Sequence, residues 1–147
     1  VLKFLYPDAD IPVVQLSLNR LQSAEWHFNL AKKLFALREQ GVLIIGSGNI
    51  VHNLRAISWE HIDQIGAGYD WAFAFRETVN QAIAIQDDET LVHYEQLGEK
   101  AKLSVPTPDH YLPLLYIMAL REPQDGITFF NDNLIAGSLS MTSVLVG

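Results

Sequence analysis

Cysteine is absent from the chain of 147 residues. The protein therefore has no disulfide, no thiolate metal site and no cysteine nucleophile, and any metal ion must be held by histidine, aspartate or glutamate. A chain without cysteine is compatible with a reducing compartment. We expect a cytoplasmic protein.

Basic residues and long hydrophobic runs are also scarce. Ten Lys and Arg against 17 Asp and Glu give a net charge of −7. No basic cluster is present that could displace the counterions of a nucleic acid or bind an anionic membrane. No window reaches the ~18 consecutive apolar residues of a membrane-spanning helix, and residues 1–10 lack the order of a signal peptide. We expect a soluble protein that binds neither nucleic acid nor membrane.

Apolar residues are plentiful, since 49% of the chain is hydrophobic and 18% is charged. This composition is typical of one folded domain. The sequence starts without an initiator methionine, at an apolar stretch (residues 1–6) that resembles the end of a helix. We therefore interpret residues 1–147 as part of a larger domain.

The first third of the sequence has the pattern of a β-α-β unit. Residues 11–18 are β-branched and apolar on both faces, which predicts a strand buried in a parallel sheet. Ser23 is predicted to cap a helix that ends at Gly41. Its apolar residues recur at helical spacing: Trp26, Leu30, Leu34 and Leu37. Residues 42–45 predict a second strand, followed by the sequence Gly-Ser-Gly-Asn at 46–49. The unit predicts an α/β fold with a central, mostly parallel sheet flanked by helices.

The rest of the sequence predicts further helices and a hairpin. Helices are predicted over residues 69–84, 87–97 and 109–120, and the first of these carries Trp71, Phe75, Val79 and Ile83 at helical spacing. Residues 127–130 and 138–146 predict two strands that form an edge hairpin.

The chain has five histidines as strong ligands for a transition metal: His27, His52, His61, His93 and His110. His52 follows the end of a predicted strand through the glycine-rich segment 46–49, where ligands gather in open α/β sheets. His110 starts a helix after two prolines that stiffen the chain. The other three lie in helical or polar stretches and are interpreted as structural or solvated. Segment 46–49 lacks the G-x-G-x-x-G, P-loop and G-x-S-x-G patterns, which argues against nucleotide binding and a serine hydrolase.

Three motifs resemble those of a known family. They are S-G-N-I-V-H-N-L-R at residues 47–55, P-T-P-D-H-Y-L-P-L-L at 106–115 and G-S-L-S-M at 137–141. Together they resemble the DOPA dioxygenase branch of the class III extradiol dioxygenases, and residues 6–12 resemble it as well. The likeness extends over essentially the whole chain in order. It implies that residues 1–147 are the carboxy-terminal part of one catalytic domain.

The resemblance also implies an activity and a site. Members of this family open the ring of a catechol such as DOPA with O₂ and a non-haem divalent metal, Fe(II) for turnover or Zn(II) as the bound metal. It places His52 and His110 at the metal, with His110 as a ligand and His52 as a ligand or an acid–base catalytic residue. Asn49, Asn53 and Tyr111 are candidates for substrate binding, or equally turn and helix-terminus residues. Two further histidines would come from the missing amino-terminal half or from another chain.

Two alternatives stay open at this point. The segment could be a non-catalytic binding or assembly module, or part of another metal-dependent enzyme on the same scaffold, such as a zinc hydrolase. Metal histidines alone do not determine oxygen chemistry, and the sequence does not identify the catechol or the native metal.

Overall fold

The computed structural model describes residues 2–147. Its α-helices are α1 (Leu2–Leu5), α2 (Ala24–Lys32), α3 (Ala36–Glu39), α4 (Asp70–Ala84), α5 (Asp88–Val92), α6 (Glu99–Ser104) and α7 (Leu112–Ala119). Its strands are β1 (Ile127–Phe130), β2 (Leu134–Ile135), β3 (Leu139–Ser140) and β4 (Ser143–Val146). Short 3₁₀ turns lie at Leu54–Ala56, Trp59–His61, Tyr94–Leu97 and Pro108–His110. Helix α1 accounts for most of the apolar stretch at residues 1–6, of which Val1 lies outside the described residues.

The predicted helix after Ser23 forms, but it is shorter than expected. The Ser23 hydroxyl accepts a hydrogen bond from the backbone N–H of Trp26 at 3.1 Å, so the predicted cap is confirmed. The chain leaves the α-helix at Lys32, because the next three amides bond to carbonyls three residues back, in a tighter turn. Helix α3 follows. The predicted apolar stripe is not the buried face, since Trp26 is 41% exposed. The face that packs on α7 consists of His27, Phe28 and Ala31.

The core is built from residues of α4, α5, α6 and α7, with α2 packed on α7. Phe75, Val79 and Ile83 of α4 are fully buried, as their helical spacing predicts. At the centre, the Tyr94 and Tyr111 rings lie 4.3 Å apart between centroids. This aromatic cluster fixes the start of α7, where the chain carries His110.

The predicted central sheet is absent from the described residues. Residues 11–18 and 42–45 form neither helix nor strand there and pair with no strand. Val14 is 92% exposed and Leu43 is 61% exposed, so these segments are not buried strands as predicted. A strand needs a neighbour to bond its backbone amides and cover its apolar faces, and no described strand supplies one.

The strands that do form are antiparallel. β1 pairs with β4, with Ile127 opposite Val146, which confirms the predicted hairpin between residues 127–130 and 138–146. Inside this hairpin β2 pairs with β3. The second predicted strand, residues 138–146, is therefore divided into β3 and β4. Helix α4 anchors the hairpin: Asn80 donates to the Asp132 carboxylate at 3.0 Å, and Thr142 donates to the same group at 2.7 Å.

None of the helices in residues 2–147 combines the length and the apolar character needed to cross a membrane.

Candidate functional site

The glycine-rich segment 46–49 packs directly on the start of α7. A side chain at Gly48 would overlap the carbonyl oxygen of His110, and a Cβ at Gly46 would lie 2.7 Å from the carbonyl oxygen of Pro113. Glycine is therefore needed here because two backbones approach closely. The approach brings together the two histidines of the sequence motifs. Their rings stack with centroids 5.0 Å apart and planes inclined by 30°.

His52 is buried between two backbone carbonyls. Its Nδ1 lies 3.0 Å from the carbonyl oxygen of Asn49, and its Nε2 lies 2.8 Å from that of Thr107. A neutral imidazole carries one N–H and can donate to only one of them. Burial lowers the pKa of His52, and this effect outweighs the two carbonyls, which raise it. The neutral ring therefore holds one nitrogen lone pair against a carbonyl oxygen, a contact that satisfies neither group.

His110 lies at the surface beside an aspartate. Its side chain is 50% exposed, and its Nε2 lies 3.7 Å from Oδ2 of Asp109. The pKa of Asp109 is lowered, chiefly because the Thr107 side chain hydrogen-bonds to its carboxylate. The 3₁₀ turn that carries His110 therefore also places a carboxylate beside the stacked ring pair. The sequence interpretation took this turn only as a stiff approach to His110 and missed Asp109.

The predicted substrate-binding residues make mainly structural contacts. The Asn49 side chain donates to the carbonyl of Ser140 at 2.5 Å. The Asn53 side chain donates to the carbonyl of Leu103 at 2.7 Å and accepts from the backbone N–H of Arg55. Both amides thus hold the segment around His52 in place, and substrate binding by either one stays a prediction.

Tyr111 points into the core rather than toward the histidine pair. Its side chain is fully buried, its hydroxyl donates to the carbonyl of Leu91 at 3.1 Å, and burial raises the pKa of the phenol. In this position the hydroxyl fixes α7 on α5. Its predicted contact with substrate would require a rearrangement of the core and stays a prediction.

Three backbone carbonyls hold the segment after His52. The sequence interpretation missed them. The consecutive carbonyls of residues 136–138 accept from the backbone N–H groups of Ser58, Tyr69 and Asn53, at 2.9, 2.9 and 3.1 Å. Residues 136 and 137 reach this geometry with positive φ, 51° and 78°. The G-S-L-S-M motif begins here, and its sequence signal was taken for part of a strand.

The remaining histidines contact neighbours in the fold. His27 is fully buried, with Nδ1 2.9 Å from the Tyr116 hydroxyl and Nε2 2.9 Å from the carbonyl oxygen of Asn19. The ring of His61 lies 2.7 Å from the Ser58 hydroxyl, and that of His93 lies 3.3 Å from Glu89. These positions agree with structural or solvated roles. Among the histidines of residues 2–147, only His52 and His110 stack on each other.

Imidazole nitrogens are suitable ligands for iron and zinc. In the neutral His52 ring, one nitrogen has a lone pair that faces a carbonyl oxygen. In His110, Nδ1 has no hydrogen-bond partner within residues 2–147. The pair therefore fits part of a metal site. Within residues 2–147, no group of three or more histidine, aspartate or glutamate side chains is placed to hold a metal ion.

Comparison with known proteins gives no matching family model but clear relatives. The chain is 45% identical, over its whole length, to the 4,5-DOPA dioxygenase extradiol of Escherichia coli (strain K12) and covers 54% of that protein. It is 35% identical, over 77% of its length, to the protein of the same name from Beta vulgaris and covers 41% of it. The chain is thus similar, over its whole length, to part of a 4,5-DOPA dioxygenase extradiol. This similarity confirms the resemblance that its motifs predict.

A solved structure is also similar to the chain. The crystal structure of an uncharacterized protein from Escherichia coli K12 superposes on 99% of the chain with a TM-score of 0.89 and 44% sequence identity, and the chain covers 59% of it. The chain thus spans about half the length of the DOPA dioxygenase relatives it matches. This coverage is consistent with a carboxy-terminal portion of a class III extradiol dioxygenase.

Proposed function

We propose that the chain supplies the His52–His110 side of the active site of an extradiol dioxygenase that opens the ring of a catechol such as DOPA with O₂. The observation that carries the proposal is the pair of stacked imidazoles with 5.0 Å between their centroids. Segments distant in sequence bring the pair together, in a chain 45% identical to a protein named for this reaction.

The proposed cofactor is a non-haem divalent metal, Fe(II) for turnover or Zn(II) as a bound ion. His110 would hold it through Nδ1, and His52 would either join it as a ligand or act on the substrate. When bound, the metal would act as a Lewis acid toward the two catechol hydroxyls and offer an open position for O₂.

His52 is suited to accept a proton. Because burial lowers its pKa, the ring is neutral at pH 7 and keeps a basic nitrogen. That nitrogen now faces a carbonyl oxygen, so a modest rotation of the ring toward a substrate hydroxyl or a metal would replace an unfavourable contact with a favourable one. Asn49 and Asn53 would hold the backbone on either side of the ring during this movement.

In this proposal the rest of a longer chain, or a second chain, supplies the remaining metal ligands and the strands beside residues 11–18 and 42–45. Those segments form neither helix nor strand, and most of their large apolar side chains are exposed. Strands added alongside them would bury these side chains, bond their backbone amides and build the predicted parallel sheet.

The test compares the longest natural chain with the segment of residues 1–147. Each is loaded anaerobically with Fe(II) and mixed with L-DOPA in air, while O₂ consumption and formation of a yellow product are followed. We expect activity in the long chain alone. In the long chain, His52→Gln and His110→Gln should abolish product, whereas His61→Gln, the matched control, should retain it.

The alternatives correspond to other results. A long chain that binds Fe(II) but consumes no O₂ with L-DOPA or other catechols would favour a different metal-dependent enzyme. A long chain that binds no metal would favour the binding or assembly module. Either result would overturn the proposed reaction.

A further inference from the structure

Asp109 and His110 are neighbours in the 3₁₀ turn Pro108–His110, and their side chains meet at the edge of the ring pair. Oδ2 of Asp109 lies 3.7 Å from Nε2 of His110. This is an ion-pair distance, longer than a hydrogen bond. The proline that starts the turn fixes the φ of its first residue, and the Thr107 side chain hydrogen-bonds to the Asp109 carboxylate.

One face of the His110 ring is covered as well. The His52 ring stacks on it, and His52 is itself buried between the carbonyls of Asn49 and Thr107. His110 is thus confined by a flat neighbour on its face and a negative charge at Nε2. Within residues 2–147 its Nδ1 has no hydrogen-bond partner.

A carboxylate beside one ring nitrogen attracts a hydrogen atom to that nitrogen. The neutral imidazole has a single N–H, so a hydrogen atom on Nε2 leaves the lone pair on Nδ1. In metalloproteins the same arrangement selects the tautomer of a ligating histidine, turns the ring and raises its basicity.

We infer that Asp109 is a positioning residue that keeps His110 in its Nε2–H form and so presents Nδ1 to a divalent transition metal. The inference rests on the proposed function for its consequence, but the tautomer itself can be measured without metal or catechol. A separation of 3.7 Å would shorten to a hydrogen bond once a metal fixed the other edge of the ring.

The first experiment measures the tautomer of His110 in the longest natural chain without metal, from the ¹⁵N chemical shifts of the ring nitrogens at a pH where the ring is neutral. The His110 signals are assigned by their loss in His110→Gln. We expect the Nε2–H form in the wild-type chain, a shift toward the Nδ1–H form in Asp109→Asn, and the Nε2–H form again in Asp109→Glu. Asp63→Asn removes an exposed carboxylate elsewhere and should change nothing.

The second experiment measures the Zn(II) affinity of the longest natural chain by competition with a chelating dye. Loss of an outer carboxylate typically weakens metal binding by about 10–100-fold, so Asp109→Asn should show that loss, and Asp109→Glu and Asp63→Asn should not. An unchanged tautomer in Asp109→Asn, or the Nδ1–H form in Asp109→Glu, overturns the inference. If the tautomer responds as expected while the long chain fails to cleave catechols, the proposed function falls and the role of Asp109 stands.

Discussion

At the scale of the residue, the contact between His52 and His110 depends on a glycine at position 48. Gly48 lies so close to the His110 backbone that a Cβ would overlap its carbonyl oxygen. We expect Gly48→Ala to lower the free energy of unfolding by about 1–3 kcal/mol, as overpacking does, and to separate the two rings. Urea unfolding measures the first effect. Gly126→Ala is the control, because its Cβ would lie at an ordinary 3.4 Å from the nearest atom, and an equal loss in both variants would contradict the explanation.

Gln86 is a second residue at which the backbone conformation determines how a substitution changes stability. It follows α4 with a φ of +60°, and the N–H of Asp87 bonds back to the carbonyl of Ala82, which is the pattern of a Schellman cap. Glycine adopts this conformation without strain, so we expect Gln86→Gly to raise the free energy of unfolding by roughly 0.5–1 kcal/mol. Thermal unfolding measures the change.

The control for this prediction is Ala84→Gly, two residues earlier on an exposed position of α4. Inside a helix glycine loses more backbone freedom on folding, and the same replacement should lower stability by about 0.5–1 kcal/mol. Changes of the same sign in both variants would show that the left-handed conformation of Gln86 is not strained.

At the scale of the element, one ion pair joins α3 to the chain beyond α7. Arg38 donates to both carboxylate oxygens of Asp125, at 2.7 and 3.2 Å, and to the carbonyl of Leu120. The hydrogen bond from Arg38 is the main cause of a lowered Asp125 pKa. A lowered folded-state pKa contributes stability that is complete above the unfolded value of about 3.9 and is lost as the pH falls through the folded value.

We therefore expect Asp125→Asn to destabilise the protein by roughly 1 kcal/mol at pH 7, with the difference from wild type shrinking as the pH falls below about 4. Chemical unfolding at several pH values measures this. The exposed Asp63→Asn should show little effect at any pH. A difference between wild type and Asp125→Asn that stays constant down to acid pH would contradict the role of the charge.

The elements differ in how well the sequence predicts them, for physical reasons. Local signals predicted the Ser23 cap and the buried face of α4, because a cap and a helical stripe depend on residues close together in sequence. The strands at residues 11–18 and 42–45 depend on neighbours, and apolar composition alone could not supply the partner that a strand needs. At the site, motifs identified His52 and His110, whereas the contacts of Tyr111 and Asp109 depend on side-chain directions that no pattern encodes.

At the scale of the whole molecule, exposed large apolar side chains lie on two segments that form neither helix nor strand, residues 11–18 and 42–45. They include Val13, Val14, Leu16, Val42, Leu43 and Ile45. Exposed apolar surface of this kind drives association. We expect the isolated chain of 16.5 kDa to dimerise, aggregate or stay bound to a partner when examined by size-exclusion chromatography with light scattering.

A matched pair of variants locates the surface responsible. Val14→Lys should shift the population toward monomer, because it places a charge in the middle of an exposed apolar segment. Ile85→Lys also replaces an exposed apolar residue, but at the end of α4, and should leave the association unchanged. A wild-type chain that remains monomeric in dilute solution would contradict the expectation.

The three carbonyls of residues 136–138 also set an order of events during synthesis. Their partners, the amides of Asn53, Ser58 and Tyr69, are made long before them and lie far away along the chain. Contacts across such long loops form late, because the loop must close before it is stabilised. The segment next to His52 therefore cannot settle until residues 136–138 have been made, and a chain that stops before residue 136 would leave that segment without its anchor.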